Sequence, residues 1–306
     1  MQSYQPITEL TVVAIRYSRS RLTHGDERSI NAYAASDVYA AAQVPFTIVE
    51  PRFPEAKRSA DEPGNLGLLG GEIADAVADG LRAGHAVLMS GGDCNHITGV
   101  LGGLQDAYGA TARIGLVWFD AHGDFNTPKT TLSGMLGGMP VAVSAGLGYA
   151  NWRIASHIAA PLPTERIVMV DVRNLDPLEK QLIDATAVVV ASPAPGFPGA
   201  DLAESIAHLS ERCDLIYLHI DSDILDASLV PNHGTREPNG PNMQQVLAAV
   251  DVVMATGKVA AFAVVSVYGE EEGSEISVKS GIELIRGGLE SWKKWGMGRQ
   301  QILGAD

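Results

Sequence analysis

The sequence predicts an α/β protein, a three-layer α/β/α sandwich around a central, mainly parallel sheet. Apolar runs rich in β-branched residues recur along the chain, with helix-like stretches between them. Strands that alternate with helices form βαβ units, which build parallel sheets. Most of these runs are continuously apolar rather than alternating, which is typical of strands buried on both faces. Because this rhythm continues along the chain, we expect a single domain of residues 1–306.

The predicted elements follow one another in a regular order. Eight runs are expected to be strands: Leu10–Ile15, Phe46–Val49, Ala86–Met89, Ile114–Phe119, Ile167–Val172, Ala187–Ala191, Leu215–Ile220 and Val259–Val267. Five helices are expected between them: Ile30–Ala42, Gly71–Leu81, Ile97–Ala107, Leu202–Cys213 and Met243–Thr256. The last helix follows Pro241-Asn242, a suitable cap. The segment Ala191–Ala200 is rich in proline and glycine and predicts a long surface loop rather than a linker.

Composition narrows the class of function. The 306 residues include 22 Lys and Arg against 36 Asp and Glu, a net charge of −14. Nucleic-acid and anionic-lipid binding need a basic surface, so we expect neither partner. No run approaches the ~18 apolar residues of a membrane span, and the N-terminal sequence lacks the pattern of a signal peptide. Only Cys94 and Cys213 are present, too few for a disulfide framework. We therefore expect a cytoplasmic protein that acts on a small molecule.

Three predicted strands end in glycine-rich or acidic sequence. These ends are Ser90–His96, Asp120–Asp124 and Asp221–Asp226. Ligands of parallel sheets bind beyond the carboxyl ends of the strands. Residues i, i+2 and i+4 of an extended chain share one face, so the side chains of Asp120, His122 and Asp124 can converge. Asp221 and Asp223 can converge in the same way.

This arrangement favours a metal site. Four carboxylates and an imidazole repel one another strongly unless cations neutralise them. Mixed carboxylate and imidazole ligation suits divalent manganese or zinc, and four carboxylates are enough to bridge two ions. A single Asp-x-Asp at a strand end is usually a turn or a helix cap. Two such motifs, each behind a buried strand and accompanied by a Gly-Gly-Asp-Cys loop, favour metal binding instead.

The motifs resemble the three signatures of the arginase/agmatinase/formimidoylglutamase (ureohydrolase) superfamily. Here they stand as Gly91–Cys94, Asp120–Asp124 and Asp221–Asp226, and only the region before Gly71 lacks the usual loop pattern of the family. The resemblance implies an arginase-like fold, a binuclear manganese site and a trimer or hexamer. It also implies hydrolysis of a C–N bond in a guanidino, hydroxyguanidino or formimidoyl group by metal-hydroxide attack.

The resemblance also implies which residues bind the metals. One ion would be held by Cys94, Asp120, Asp124 and Asp221, and the other by Asp120, His122, Asp221 and Asp223. Asp223 would in addition be catalytic, by orienting the attacking hydroxide. Cys94 stands where most members have histidine, and the softer thiolate favours zinc or another soft metal as the alternative to Mn²⁺. Alternatively, Cys94 is a small buried hydrophobic residue and the site holds one ion. Cysteine here resembles the Nω-hydroxy-arginine amidinohydrolase branch.

Three further positions suggest an amino-acid-like substrate. Asn126 and Ser133 match positions that hold the α-carboxylate in arginases. Asp176 matches the position that receives the α-amino group. Each match is weak by itself, because Asn-Thr-Pro and Asp-Pro are ordinary loop sequences.

Two departures from the family pattern bear on catalysis. Gly137 stands where arginases have a proton-shuttling histidine, so protonation of the leaving amine needs another donor, for which His96 and His233 are the candidates. Ser266 stands in the substrate site where the family has a glutamate that pairs with the guanidinium, and a serine cannot neutralise that cation. The acidic residues 270–272 could reach in, or could equally form a solvated acidic run.

The sequence therefore supports two functions. The first is a binuclear metal hydrolase for an amidino-type group. The second is a catalytically weakened arginase-like subunit that supports an active paralogue. Complete metal ligands favour the first function, and Gly137 and Ser266 favour the second.

Overall fold

A computed structural model describes residues 5–297, so the expected domain of residues 1–306 extends past the described part at both ends. Its strands are β1 (Leu10–Ile15), β2 (Tyr17–Ser18), β3 (Arg21–Leu22), β4 (Phe46–Val49), β5 (Ala86–Gly91), β6 (Ile114–Phe119), β7 (Ile167–Val170), β8 (Val189–Ala191), β9 (Leu215–Asp221) and β10 (Val259–Val265). Eight of them form one sheet in the order β4-β1-β5-β10-β9-β6-β7-β8. Every neighbouring pair in this sheet is parallel. The eight predicted strands are these eight.

Helices flank the sheet, which confirms the predicted α/β/α class. They are α1 (Ile30–Ala35), α2 (Glu62–Arg82), α3 (Ile97–Tyr108), α4 (Pro140–Ser144), α5 (Ala150–Ala155), α6 (Pro177–Asp184), α7 (Leu202–Arg212), α8 (Met243–Met254) and α9 (Ser274–Trp295). Helices α2 to α5 pack on one another, as do α7 to α9. Helix α2 contacts β1 and β5, whereas α9 contacts β10. Within the described residues, no helix is both long and apolar enough to cross a bilayer.

The predicted helix boundaries need two corrections. The expected helix Ile30–Ala42 is divided, because Asp37 has a left-handed backbone (φ 54°) that ends α1 and is followed by a short 3₁₀ turn. Helix α2 begins at Glu62, nine residues before the predicted start. Asn242 does cap α8, since its side chain accepts a hydrogen bond from the Gln245 backbone. The loop between β8 and α7 lies where it is expected.

Glycines allow α2 and α3 to pack closely. A Cβ atom on Gly99 would lie 2.7 Å from the Gly70 carbonyl oxygen, and one on Gly103 would lie 2.7 Å from the Ala74 carbonyl oxygen. Both contacts are with the backbone of α2, which cannot move aside as a flexible side chain can. The two helices therefore approach at a distance that only glycine permits at these positions.

The sheet order brings the acidic motifs together. Strands β5, β10, β9 and β6 are consecutive neighbours at the centre of the sheet. Since all are parallel, the segments that follow them meet at one edge. The segment after β5 contains Cys94, and the segment after β6 contains Asp120, His122 and Asp124. Strand β9 ends at Asp221 and is followed by Asp223, and the segment after β10 contains Ser266.

Candidate metal centre

A cavity of about 300 Å³ opens at this edge of the sheet. Its lining includes every predicted site residue except His96: Cys94, Asp120, His122, Asp124, Asn126, Ser133, Asp176, Asp221, Asp223, His233 and Ser266. The four central carboxylate residues are between 2% and 7% exposed, so their charges are largely removed from water.

The turn after β5 positions Cys94. Gly91 and Gly92 have positive φ angles of 73° and 69°, and a Cβ atom on Gly91 would lie 2.7 Å from the Ile15 carbonyl oxygen. The Asp93 side chain then caps the short 3₁₀ turn that contains Cys94. Because this turn is tight, the Cys94 thiol lies close to the end of the buried strand β5.

The Cys94 thiol lies between two carboxylates. Its Sγ atom donates to Asp221 Oδ2 at 2.9 Å and lies 3.6 Å from Asp120 Oδ2. One potential ligand atom from each of these three residues lies within 4.8 Å of the others. Sγ is also 3.5 Å from Nε2 of His219, a fully buried residue whose ring stacks on Trp118. These contacts make Cys94 part of a compact three-residue donor group.

A second donor group contains His122. Its Nδ1 atom lies 3.3 Å from Asp120 Oδ1 and 3.1 Å from Asp223 Oδ2. Burial by itself would lower the pKa of His122, but the hydrogen bonds and charges of the two carboxylates raise it to about 12. Without a metal ion, the two carboxyl groups therefore favour the protonated form of His122. A divalent ion would take over that neutralising role.

His233 forms a third group with Asp221 and Asp223. Its Nε2 atom lies 3.3 Å from Asp221 Oδ1, but without the geometry of a hydrogen bond. The Thr235 backbone N–H donates to Nδ1 at 3.2 Å. In the neutral ring this makes Nδ1 the acceptor and leaves the proton on Nε2, the atom that faces the carboxylates.

Asp124 differs from the other carboxylates. It lines the cavity and is buried, but it belongs to none of the three close groups. Its backbone is left-handed (φ 46°). Burial raises its pKa, and the charge of Asp221 adds to the rise while His122 opposes it. Asp124 therefore lies beside the cluster, but its oxygen atoms are not as close to the other potential ligand atoms as those of Asp120 are.

The donor atoms fit two divalent cations. Burial raises the pKa of Asp120 well above its ordinary value, and the charges of Asp223, Asp124 and Asp221 raise it further. In the described part of the chain, the ion-pair partners of these four carboxylates are His122 and His233, with no lysine or arginine among them. Such a concentration of buried carboxyl groups is neutralised either by protonation, which the raised pKa of Asp120 reflects, or by bound cations. Oxygen, imidazole and thiol donors together suit manganese or zinc.

Two of the predicted substrate residues are hydrogen-bonded to each other in the cavity wall. Asn126 Nδ2 donates to Asp176 Oδ2 at 3.1 Å, although 50 residues separate them. Asp176 also accepts from the Leu132 backbone at 3.3 Å, and Glu179 accepts from the Phe125 backbone at 2.8 Å. These bonds fix two loops against each other. Polar groups that can hold an amino-acid backbone are thus brought together.

His96 and the acidic residues 270–272 lie outside the cavity lining, whereas Gly137 is part of it. His96 is outside the cavity lining, and its ring nitrogens contact the Asp93 backbone N–H and the Arg19 carbonyl oxygen. Gly137 lines the cavity, and a Cβ there would meet only a Met135 side-chain atom at 3.8 Å. Residues 270–272 are exposed and absent from the lining. They form the solvated run rather than a replacement for the missing glutamate.

Sequence reasoning missed several residues that contact the site. His219 precedes Asp221 by two residues on β9, so strand alternation could have indicated that they share a face. Arg173 donates to the backbone carbonyls of Asp223 and Glu237 at 3.0 Å each, and thereby ties together the loops beside the cavity. Arg28 also lines the cavity. No local pattern marks Arg28 or Arg173, because their contacts join distant parts of the chain.

Comparison with known proteins identifies the family of the chain. A family model described as Arginase family matches residues 2–288. The arginase of Bacillus caldovelox is 32% identical over 186 residues, which cover 60% of this chain and 61% of that protein. The match therefore spans about three fifths of that relative. The arginase of Bacillus subtilis is 29% identical over 202 residues, covering 65% of this chain and 67% of that protein.

Solved structures share the fold. An arginase from Entamoeba histolytica, crystallised with L-ornithine, superposes with a TM-score of 0.78 at 22% identity, over 93% of this chain and 99% of that one. A formimidoylglutamase from Bacillus subtilis gives a TM-score of 0.69 at 15% identity, over 94% and 88%. Arginases and formimidoylglutamases are hydrolases of C–N bonds in linear amidines. Because the family model covers most of the sequence and the folds agree, the chain belongs to the arginase family.

Proposed function

We propose that this chain is a binuclear metal hydrolase. It would cleave a C–N bond of a guanidino, hydroxyguanidino or formimidoyl group on an amino-acid-like substrate. The observation that carries the proposal is the convergence of thiol, imidazole and carboxylate donors in one buried cavity of an arginase-family fold. Two divalent cations held there would supply Lewis acidity and lower the pKa of a water molecule.

The proposed metal ligands are Cys94, Asp120, His122, Asp124, Asp221 and Asp223. Manganese is the ion that the family implies, and zinc or another soft metal is the alternative because a thiolate is a soft ligand. The two tight groups that contain Asp120 support a bridging role for this carboxylate. The third tight group places His233 beside Asp221 and Asp223, where it suits a proton donor rather than a ligand.

The hydrogen bonds of Asp223 and His233 support roles in proton transfer. Asp223 Oδ1 accepts from the Ala121 backbone at 3.2 Å, and Oδ2 accepts from the Thr235 hydroxyl at 3.2 Å. This carboxylate is therefore held in one orientation, as is required to orient an attacking water. His233 carries its proton on Nε2, toward the cluster, and would donate it to the leaving amine. His96, already engaged with the backbone, is the weaker candidate.

Asn126, Ser133 and Asp176 would hold the amino-acid part of the substrate. All three line the cavity, and Asp176 remains an acceptor that can receive an ammonium group. Ser266 would contact the distal, reacting group. Holding the substrate at both ends orients its C–N bond toward the metal cluster.

A second function has specific support. A catalytically weakened subunit that assists an active paralogue would keep the metal site but lack groups needed for turnover. Gly137 provides no proton shuttle, and Ser266 provides no carboxylate for a guanidinium. Metal binding without any amidine hydrolysis would favour this function over the first.

Metal content tests the principal proposal. After dialysis against manganese or zinc, the native chain should retain two equivalents per chain, and Asp120→Ala and Asp223→Ala should lose them. Asp79→Ala removes an exposed carboxylate outside the cavity and is the matched control. Release of urea, ammonia, formamide or hydroxyurea from guanidino and formimidoyl amino acids would identify the substrate. A folded native chain that retains no metal would contradict the proposal.

We also propose a cytoplasmic homo-oligomer, a trimer or hexamer as in the family. Both cysteines of the chain are free thiols, consistent with a reducing compartment. Analytical ultracentrifugation of the metal-loaded protein would determine the oligomeric state.

A further inference from the structure

His219 is a buried polar residue next to the Cys94 thiol. It lies on β9 two residues before Asp221, on the same face of the strand. Its side chain is fully buried and outside the cavity lining, so it does not contact a substrate. Among the described residues, it belongs to none of the close donor groups of the site. Its polar contact with the site is instead the 3.5 Å approach of Nε2 to Cys94 Sγ, within hydrogen-bond range for sulfur.

The neighbouring strands hold the imidazole ring of His219 in place. Trp118 is its register partner on β6, and the two rings stack with centroids 4.2 Å apart and planes 7° apart. Ala263 is its register partner on β10, and this small side chain leaves space for the ring. The plane of the imidazole is therefore fixed by packing, independently of any metal ion.

The hydrogen bond to Tyr217 decides which imidazole nitrogen carries the proton. The two ring nitrogens of His219 face Cys94 and Tyr217 rather than a carboxylate, so the buried ring is neutral and has one N–H group. Tyr217 is also fully buried, and its hydroxyl lies 2.7 Å from Nδ1, its one hydrogen-bond partner in the described part of the chain. A proton on Nδ1 would leave the hydroxyl hydrogen without an acceptor, which is costly in the interior. The hydroxyl therefore donates to Nδ1, and the ring N–H points from Nε2 toward Cys94.

An N–H group directed at a thiolate changes its properties as a ligand. In the metal-free chain the Cys94 S–H donates to Asp221, so the sulfur lone pairs can accept from His219. A coordinating thiol is deprotonated, and the accepted hydrogen bond then withdraws electron density from the thiolate. A less electron-rich thiolate is a harder ligand, closer in character to the oxygen donors that suit manganese.

We propose that His219 is a positioning residue of the metal site, which holds the Cys94 thiolate with an N–H···S hydrogen bond and biases the site toward manganese over zinc. Tyr217 keeps the donor nitrogen facing the sulfur. This inference rests on the proposed function and deepens it, because it assigns the means by which a site with a thiolate ligand accepts manganese. Replacing the hydrogen-bond partner of a metal ligand typically changes metal affinity by about 10–100-fold.

Cobalt(II) substitution makes the hydrogen bond measurable without turnover. A thiolate bound to cobalt gives a sulfur-to-metal charge-transfer band in the near ultraviolet, and a hydrogen bond to the sulfur shifts this band to shorter wavelength. We expect the band in the native chain loaded with two cobalt ions. His219→Phe keeps an aromatic ring beside Trp118 but removes the donor, so its band should move to longer wavelength. His219→Gln retains an N–H donor and should keep the band closer to its native position.

The affinities for manganese and zinc provide a second readout. His219→Phe should raise the ratio of the manganese Kd to the zinc Kd at least roughly tenfold, since the unsupported thiolate is a softer donor. A general loss of structure would weaken the binding of both ions and leave the ratio unchanged. His219→Gln should restore most of the native ratio.

A smaller substitution keeps the test decisive if His219→Phe does not fold. Tyr217→Phe removes the hydroxyl that fixes the imidazole tautomer, so the band and the ratio should shift in the same direction by a smaller amount. Tyr39→Phe is its control, because it removes another buried tyrosine hydroxyl, bonded to Ser90 and outside the cavity lining. This control should leave both readouts at their native values.

The outcomes distinguish this inference from the proposed function. A native chain that binds two cobalt ions without the sulfur band overturns the role of His219, even if the protein hydrolyses an amidine. A native band and a native metal ratio in folded His219→Phe, or in Tyr217→Phe where His219→Phe does not fold, overturn it as well. The expected shifts in a protein that hydrolyses no amidine would support the role of His219 and contradict the catalytic proposal.

Discussion

At the scale of single residues, Cys94 is the unusual donor of the site. Burial raises the pKa of its thiol well above the ordinary value, and the charges of Asp221, Asp124 and Asp120 raise it further. The metal-free thiol is therefore protonated and donates to Asp221. A coordinating thiol is deprotonated, so binding of an ion would convert this donor into a ligand.

Replacement of Cys94 tests whether the thiol coordinates. Cys94→His restores the usual ligand of the family and should retain or raise manganese affinity. Cys94→Ser should weaken zinc binding more than manganese binding, because the soft thiolate is replaced by a harder oxygen. Competition titration with a chromogenic chelator would measure both affinities. If neither variant changes the affinity for any divalent metal, Cys94 is not a ligand.

Residues of the site differ in how far the sequence could predict them. Asp120, His122 and Asp223 follow buried strands in short motifs, so their convergence needs only strand alternation and a parallel sheet. Arg28 reaches the cavity through a loop whose path is fixed by contacts with residues more than 200 positions away, including the bond from Ser29 to the Val267 carbonyl. No local spacing encodes such a contact.

At the scale of elements, strands were easier to predict than helices. Most sheet strands are short apolar runs that stay buried, although the edge strand β4 is exposed. In contrast, α9 is a 22-residue helix that the sequence pattern does not predict. It contains Gly281 and Gly288, which lower helix propensity. A Cβ atom on Gly281 would lie 2.6 Å from the Tyr33 hydroxyl, and one on Gly288 would lie 2.4 Å from the Phe262 ring. These glycines allow α9 to pack closely against its neighbours, but they weaken the helix pattern in the sequence.

The contact between α2 and α3 yields a prediction at this scale. Alanine normally stabilises a helix by about 1 kcal/mol relative to glycine. Gly103→Ala should instead lower the free energy of unfolding by about 1–3 kcal/mol, because the new methyl group meets the Ala74 carbonyl and the Val77 side chain. Gly64→Ala is the matched control, since its nearest neighbour is the flexible Asp61 carboxylate. Urea denaturation would measure both; equal stability of the two variants would contradict the packing argument.

At the scale of the whole molecule, the fold collects negative charge at one edge of its sheet. Seven of the 36 acidic residues line the cavity there, four of them the proposed metal ligands Asp120, Asp124, Asp221 and Asp223, while the net charge of the chain is −14. Two divalent ions would cancel the formal charge of these four carboxylates locally. The buried side chains below them, which include Trp118 and His219, keep water from screening the charges. The same burial that favours metal binding therefore strains the metal-free protein.

Thermal unfolding tests this relation between stability and function. Because burial and neighbouring carboxylates raise the pKa of Asp120, its stabilising contribution is present below its unfolded pKa and is lost as pH rises. At neutral pH, Asp120→Asn should therefore melt at a higher temperature than the native apoprotein. Metal at about 100 times its Kd should stabilise the native chain by about 2.7 kcal/mol per ion, several degrees in Tm. Asp120→Asn should lose this shift, whereas the exposed-site control Asp79→Asn should keep it. An apo variant that melts below the native apoprotein, or retains the metal-dependent shift, would contradict the assignment of Asp120 as a buried metal ligand.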